Sequence, residues 1–151
     1  MLDSAYASYA LTGLAVIILI ITLIWIFRLT QLETVDCAAL ETLYIDPAQI
    51  SSFDARSPDY SLNLRDYYVK TAYNACSPGP FANAFVSLCA LKTVIKQGAR
   101  CLDFAVYAVG GEPVISTSAV DSFDVKETFN SVPFSNAMEA VANLAFSSAN
   151  L

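Results

Sequence analysis

Two hydrophobic patterns divide the chain. Residues 10–27 run Ala-Leu-Thr-Gly-Leu-Ala-Val-Ile-Ile-Leu-Ile-Ile-Thr-Leu-Ile-Trp-Ile-Phe without a charge. As a helix rising about 1.5 Å per residue this run reaches about 27 Å, close to the hydrocarbon thickness of a bilayer. Tyr6 and Tyr9 stand at one end and Trp25 at the other, where amphipathic rings meet headgroups, and Arg28 closes the run. A cleaved leader would want a basic start and a small-residue cleavage site, but this end carries Asp3 and the run ends Phe-Arg-Leu. The division predicted is a tail over 1–9, a transmembrane helix over 10–28, a stalk and linker over 29–61, and a domain over 62–151. Arg28 against Asp3 weakly favours a cytoplasmic domain.

Beyond the anchor the periodicity shortens. Leu32, Val35, Leu40 and Leu43 extend a helix over 31–44 until Asp46-Pro47 stops it, and the Ser-rich stretch 51–61 reads as a linker. A strand is predicted over 66–72, then a bend at Ser77-Pro-Gly-Pro80, then a helix over 82–97 with Ala84, Leu88, Leu91 and Ile95 on one stripe and Gly98 as its left-handed cap. Residues 101–109 read as a strand with Leu102, Phe104 and Val106 facing inward and Asp103, Ala105 and Tyr107 outward. Gly110-Gly111 turns into a second strand over 112–117, where Val114 and Ile115 are assigned to the core. A last helix over 135–146, capped by Ser135, presents Met138, Val141, Ala142 and Ala145. Alternation of strands and helices at this spacing implies an α/β domain with a parallel sheet.

Composition narrows the function classes. Hydrophobic residues make up 56% of the 151, above the roughly 45–50% of soluble domains, and the anchor supplies most of the excess. A net charge of -6 argues against nucleic acid, since the longest basic grouping, Lys92, Lys96 and Arg100, suits the C-terminal end of a helix. Cys37, Cys76, Cys89 and Cys101 match no metal spacing, and there is no histidine to complete a site. Their even number permits disulfides, but Cys89 and Cys101 fall on predicted core faces, so reduced thiols are expected. There is no Asn-x-Ser/Thr acceptor, as suits a domain that stays out of a glycosylating lumen.

Three stretches together resemble the X region of the phosphatidylinositol-specific phospholipase C family, over residues 64–150. Leu64-Arg-Asp-Tyr-Tyr-Val-Lys-Thr-Ala-Tyr-Asn-Ala75 is similar to the opening strand, whose Ser-His-Asn-Thr motif stands here as Ala72-Tyr73-Asn74-Ala75. Gly98-Ala-Arg-Cys-Leu-Asp-Phe-Ala-Val-Tyr107 resembles the family's Gly-Cys-Arg-Cys-Leu-Glu-Leu-Asp-x-Trp, and Glu112-Pro-Val-Ile115 resembles the Glu-Pro-Val-Val before its second His-Gly. Ser116-Thr117-Ser118 occupies that second place, and Phe134-Ser-Asn-Ala-Met-Glu-Ala-Val-Ala-Asn-Leu-Ala-Phe146 is similar to the helix that follows.

The resemblance implies a partial (β/α) barrel with a degenerate site. In the family one histidine deprotonates the inositol 2-hydroxyl and the other protonates the leaving oxygen, work for groups titrating near neutrality. Tyr73 and Thr117 replace both, so no catalytic residue is assigned and a pseudoenzyme is expected; Asn74, Asp103 and Arg100 remain as a vestigial site. Asn74 and Asp103 match two calcium-ligand positions, but Ala105 replaces the next acid, and Ca²⁺ wants six to eight oxygens. No metal or cofactor is implied. The resemblance places Tyr73 and Thr117 together at the C-terminal ends of adjacent strands. An active enzyme would need a relocated acid/base pair from Asp103, Glu112, Tyr73 or Lys70, and a phosphoinositide head-group module would rely on Arg100 and Lys70. The expected function is structural, linking a lipid bilayer to a protein assembly, and histidine-lacking anchored proteins of this type look like ones encoded by large DNA viruses. That suggests a virion inner membrane or capsid interface. Because a full barrel takes about 250 residues, other chains are expected to cover the open barrel edge.

Overall fold

The computed structural model describes residues 4–46, 63–119 and 126–146. The linker expected over 51–61 lies outside them. The chain falls into two compact units, Met1–Leu32 and Glu33–Leu151.

The first unit is the greater part of helix α1, Ser4–Leu43, the longest element in the chain. It is long and apolar enough to span a membrane. Its side chains from Leu11 to Phe27 are solvent-facing on every side, where a soluble helix would bury one stripe. Each such residue left in water forfeits roughly 1.5–3 kcal/mol, so a handful equals the roughly 5–15 kcal/mol stability of a whole domain. The polar side chains within the run satisfy themselves: Thr12 Oγ1 donates to the Ser8 carbonyl at 2.9 Å and Thr22 Oγ1 to the Ile18 carbonyl at 2.8 Å. Such internal pairing is what a hydrocarbon environment demands of a hydroxyl. The helix expected over 31–44 is the continuation of this one, to Leu43.

The second unit is a mixed helix and sheet body. After a 3₁₀ turn at Leu64–Asp66 come β1 (Thr71–Ala72), α2 (Leu88–Lys96), β2 (Cys101–Leu102), β3 (Val106–Val109), β4 (Glu112–Ile115), β5 (Val132–Pro133) and α3 (Phe134–Ala145). β1 and β2 pair in parallel, Thr71 opposite Cys101, whereas β3, β4 and β5 form an antiparallel sheet in that order. This replaces the single parallel sheet expected, and no closed barrel forms among the described residues. Cys76, Val86, Leu91, Ile95, Ile115, Val132 and Ala137 make the core, with Leu102, Phe104, Met138, Val141 and Leu144 packed on it.

Tertiary pairing overrides local pattern at several places. The strand expected over 66–72 shrinks to its last two residues, because Asn63 N donates to Asp66 Oδ2 and Asp66 N to the Asn63 carbonyl, fixing a turn instead. α2 starts at Leu88, not near residue 82. Residues 83–86 are not helical, Asn83 taking a left-handed φ of 54°, and they lie beside 127–130: Asn83 N donates to the Glu127 carbonyl and Phe129 N to the Ala84 carbonyl, each at 2.9 Å. Ser87 then caps the helix, its hydroxyl accepting from Ala90 N. At the far end Gly98, with φ 84°, lets Ala99 N reach the Val94 carbonyl at 3.0 Å.

The strand expected over 101–109 breaks at 103–105 as the chain passes from one sheet to the other, and the in-out alternation slips by one residue. Tyr107 is therefore buried and Val106 exposed, the reverse of the expected faces. Gly110 and Gly111, with φ 62° and 87°, form the two-residue hairpin turn that puts Val109 opposite Glu112. α3 begins one residue early, at Phe134, with Pro133 as its cap residue. The Ser135 hydroxyl turns to Asn136 Oδ1 and caps nothing, and Ala142 is exposed while Ala137 is fully buried.

Cys37 and Cys89 are disulfide-bonded, with Cα atoms 6.0 Å apart, and Cys76 and Cys101 are free. The expectation of four reduced thiols fails because residue 37 and the first turn of α2 are neighbours in space, which sequence separation hides. Cys101, assigned to a core face, is exposed.

Candidate functional site

The parallel pair β1 and β2 sorts the candidate residues by strand end. Lys70 and Arg100 precede the two strands, while Tyr73, Asn74 and Asp103 follow them. At about 3.3 Å per residue the two sets lie about 10 Å apart along the strands. Both cations serve the end of α2: Lys70 Nζ donates to the Gln97 carbonyl at 2.7 Å, and Arg100 Nη1 to the Ala99 carbonyl at 3.2 Å. Arg100 N and Cys101 N in turn donate to the Lys70 carbonyl. Arg100 is thus separated from the other vestigial positions.

At the other end the main chain draws the remaining positions together. Asp103 N donates to the Ala72 carbonyl and Ala75 N to the Asp103 carbonyl, both at 2.9 Å, prolonging the ladder beyond the strands. Asn74 takes the left-handed conformation, φ 48°, which asparagine tolerates better than most residues. Ser77 N closes the turn onto the Asn74 carbonyl at 2.7 Å. The Asn74 side chain is buried, and its Oδ1 has no hydrogen-bond partner among the described residues. The Asp103 side chain is exposed.

Tyr73 and Thr117 meet through one residue. The Tyr73 ring, 66% exposed, stands edge-on to Phe81 with centroids 5.5 Å apart. Thr117 is buried, and its hydroxyl donates to the Phe81 carbonyl at 2.8 Å. They are not on adjacent strands, since Tyr73 follows β1 and Thr117 follows β4, which belong to different sheets. Glu112 opens β4 at the hairpin, about 16 Å along the strand from Thr117. Ala105 carries no ligand atom on its side chain, and its carbonyl accepts from Ser116 N at 3.2 Å.

Two residues have no role in the sequence reading: Glu127, which borders Thr117, and Tyr107, which interacts with Glu127 and Tyr73. Glu127 N donates to the Thr117 carbonyl at 2.9 Å, and its Oε2 accepts from Ser118 Oγ at 2.9 Å and from Ala119 N. Tyr107 is buried, and burial first, then the Glu127 carboxylate and then Tyr73, raise its phenol above the ordinary value. Tyr107 was assigned outward by alternation, and Glu127 lies in a segment without periodicity. Ser116 is buried with its hydroxyl paired to that of Thr128, which donates on to the Asn130 carbonyl at 2.8 Å. Among the described residues no group of three or more Cys, Asp or Glu could hold a metal ion. Compared with known families, characterised proteins and solved structures, the chain finds no match.

Proposed function

We propose that this is a membrane-anchored, catalytically inactive phospholipase-C-like protein that fastens a membrane to a protein assembly, such as a virion inner membrane to its capsid. The observation that carries the reading is Thr117. Where proton-transfer chemistry would need a free titrating group, this residue offers a buried hydroxyl already donating to the Phe81 main chain. Loss of a positioned acid or base typically costs 10²–10⁴-fold in rate. The exposed Tyr73 across Phe81 has no such partner at Thr117 to divide the work with. The long apolar helix α1 supplies the membrane attachment.

The test uses the full chain in vesicles containing phosphatidylinositol. Release of inositol phosphate should not rise above that of empty vesicles, while cross-linking in the native membrane should capture a protein partner. Turnover that disappears in Tyr107→Phe or Glu127→Gln would replace this reading with an active phosphodiesterase built on those residues.

A further inference from the structure

Disulfide Cys37–Cys89 bears on a matter the anchored reading leaves open, namely which side of the membrane the body occupies. The bond joins residues 52 apart in sequence, so it is no accident of neighbouring positions. Its 6.0 Å Cα separation falls within the usual 4.4–6.8 Å. The surroundings are built around it. The Ser87 hydroxyl that caps α2 lies 3.0 Å from Cys89 Sγ and 3.5 Å from Cys37 Sγ, and Ser87 N is itself held by the Cys76 carbonyl at 2.8 Å. The nearest other cysteine in sequence to this cap is unsuited to attack the bond. Cys76 is wholly buried, and burial pushes its thiol up to about 12, leaving little thiolate.

Charge opposes the placement that a lasting disulfide requires only weakly. The positive-inside rule counts Lys and Arg within about 15–20 residues of a span. Here it weighs Arg28 on one side against the terminal amine on the other, and the next cation in sequence, Arg56, lies well beyond. Asp3 contributes little to that rule. Cytosolic thiols are kept reduced, whereas disulfides persist on the oxidising side of a membrane. We infer that the body, residues 33–151, folds on the non-cytosolic face, with the N-terminus in the cytosol and Cys37–Cys89 as a permanent bond, so that the assembly it holds is met on that face. This rests on α1 spanning a membrane, and it reverses the weak preference drawn from Arg28 and Asp3.

The chain carries its own reporters. Cys101 is free and exposed, and Arg65, 84% exposed at its side chain, follows Asn63 by two positions, so Arg65→Thr makes residues 63–65 a glycosylation acceptor. The full chain would be inserted into microsomes and extracted with carbonate at high pH. Intact vesicles would then be treated with a membrane-impermeant maleimide. The expected result is a chain that stays in the pellet and is labelled at Cys101 only after detergent opens the vesicles. Arg65→Thr should gain one glycan, seen as a gel shift that endoglycosidase removes. Alkylation before and after reduction should show Cys37 and Cys89 oxidised. Release by carbonate would overturn the spanning reading itself. Retention with Cys101 labelled in intact vesicles would leave the anchor standing and overturn the orientation, whatever the state of Cys37 and Cys89. A lumenal body whose Cys37 and Cys89 alkylate without reduction would overturn the permanent bond.

Discussion

Asn130 holds the non-helical segment before α2 in place, and removing its side chain gives a sharp test of how the body is built. Its Oδ1 accepts from Val86 N and its Nδ2 donates to the Val86 carbonyl, both at 2.8 Å, so one amide does for Val86 what a neighbouring strand would do. Val86 is wholly buried. Asn130→Ala leaves both main-chain groups without their partner, at roughly 1–3 kcal/mol each, or about 2–6 kcal/mol together. Asn130 is itself only part-buried, so water can reach one group and the lower half of that range is expected. Against a domain stability of about 5–15 kcal/mol this is a large share, and at about 4 °C per kcal/mol it lowers Tm by about 8–16 °C. Asn130→Asp adds a signature. An ionised carboxylate can accept from Val86 N but sets its second oxygen against the Val86 carbonyl, while a protonated one can donate. The folded state then binds the proton more tightly than the unfolded chain, so this variant gains stability as pH falls. Urea unfolding of the full chain in detergent should be followed by near-ultraviolet dichroism of the tyrosines, because the single tryptophan, Trp25, lies in α1. If Asn130→Ala unfolds within about 0.5 kcal/mol of the parent, the range of ordinary surface substitutions, the clamp is unimportant and the reasoning fails.

Other outcomes follow from the same structure. Cys76 is 9.0 by ordinary measure and about 12 in the fold, so the unfolded chain loses its proton first. Stability should fall above pH 9, by up to about 1.4 kcal/mol per pH unit from this group, and Cys76→Ala should flatten that slope in urea melts across pH 8–11. Replacing Cys37 and Cys89 together by serine should cost about 4 kcal/mol from reopened loop entropy over 52 residues, read as a lower urea midpoint. Asn74→Ala should lose about 1 kcal/mol through its left-handed backbone, whereas Asn74→Gly relaxes the backbone and removes the unpartnered Oδ1; a glycine variant less stable than the alanine one would contradict this.

Local chemistry was legible where it alone decides the backbone. The all-round apolarity of 10–27 marked α1, Gly110-Gly111 marked the hairpin, Gly98 marked the end of α2, and Leu91 and Ile95 lie buried where the stripe put them. What could not be read depended on distant partners. Ala84 is buried at a position that fits the helical stripe, but it gets there on a non-helical segment held by Phe129 and Glu127. The slip at 103–105 that turns Tyr107 inward follows from a change of sheet, which no window of residues 101–109 contains. β5 is only two residues long and begins where Val132 meets Ile115. For the candidate site, the resemblance singled out Tyr73, Asn74 and Thr117, but their surroundings came from Phe81 and Glu127, which no periodicity marks, and from Tyr107, which alternation turns outward.

Glu127 gathers Thr117, Ser118 and Ala119 by its main chain and carboxylate, so a single residue clasps the chain that leaves β4 to the chain that approaches β5. A clasp of that kind spares the body a longer β4–β5 ladder, and Ser116, Thr117 and Thr128 keep their buried places beside it.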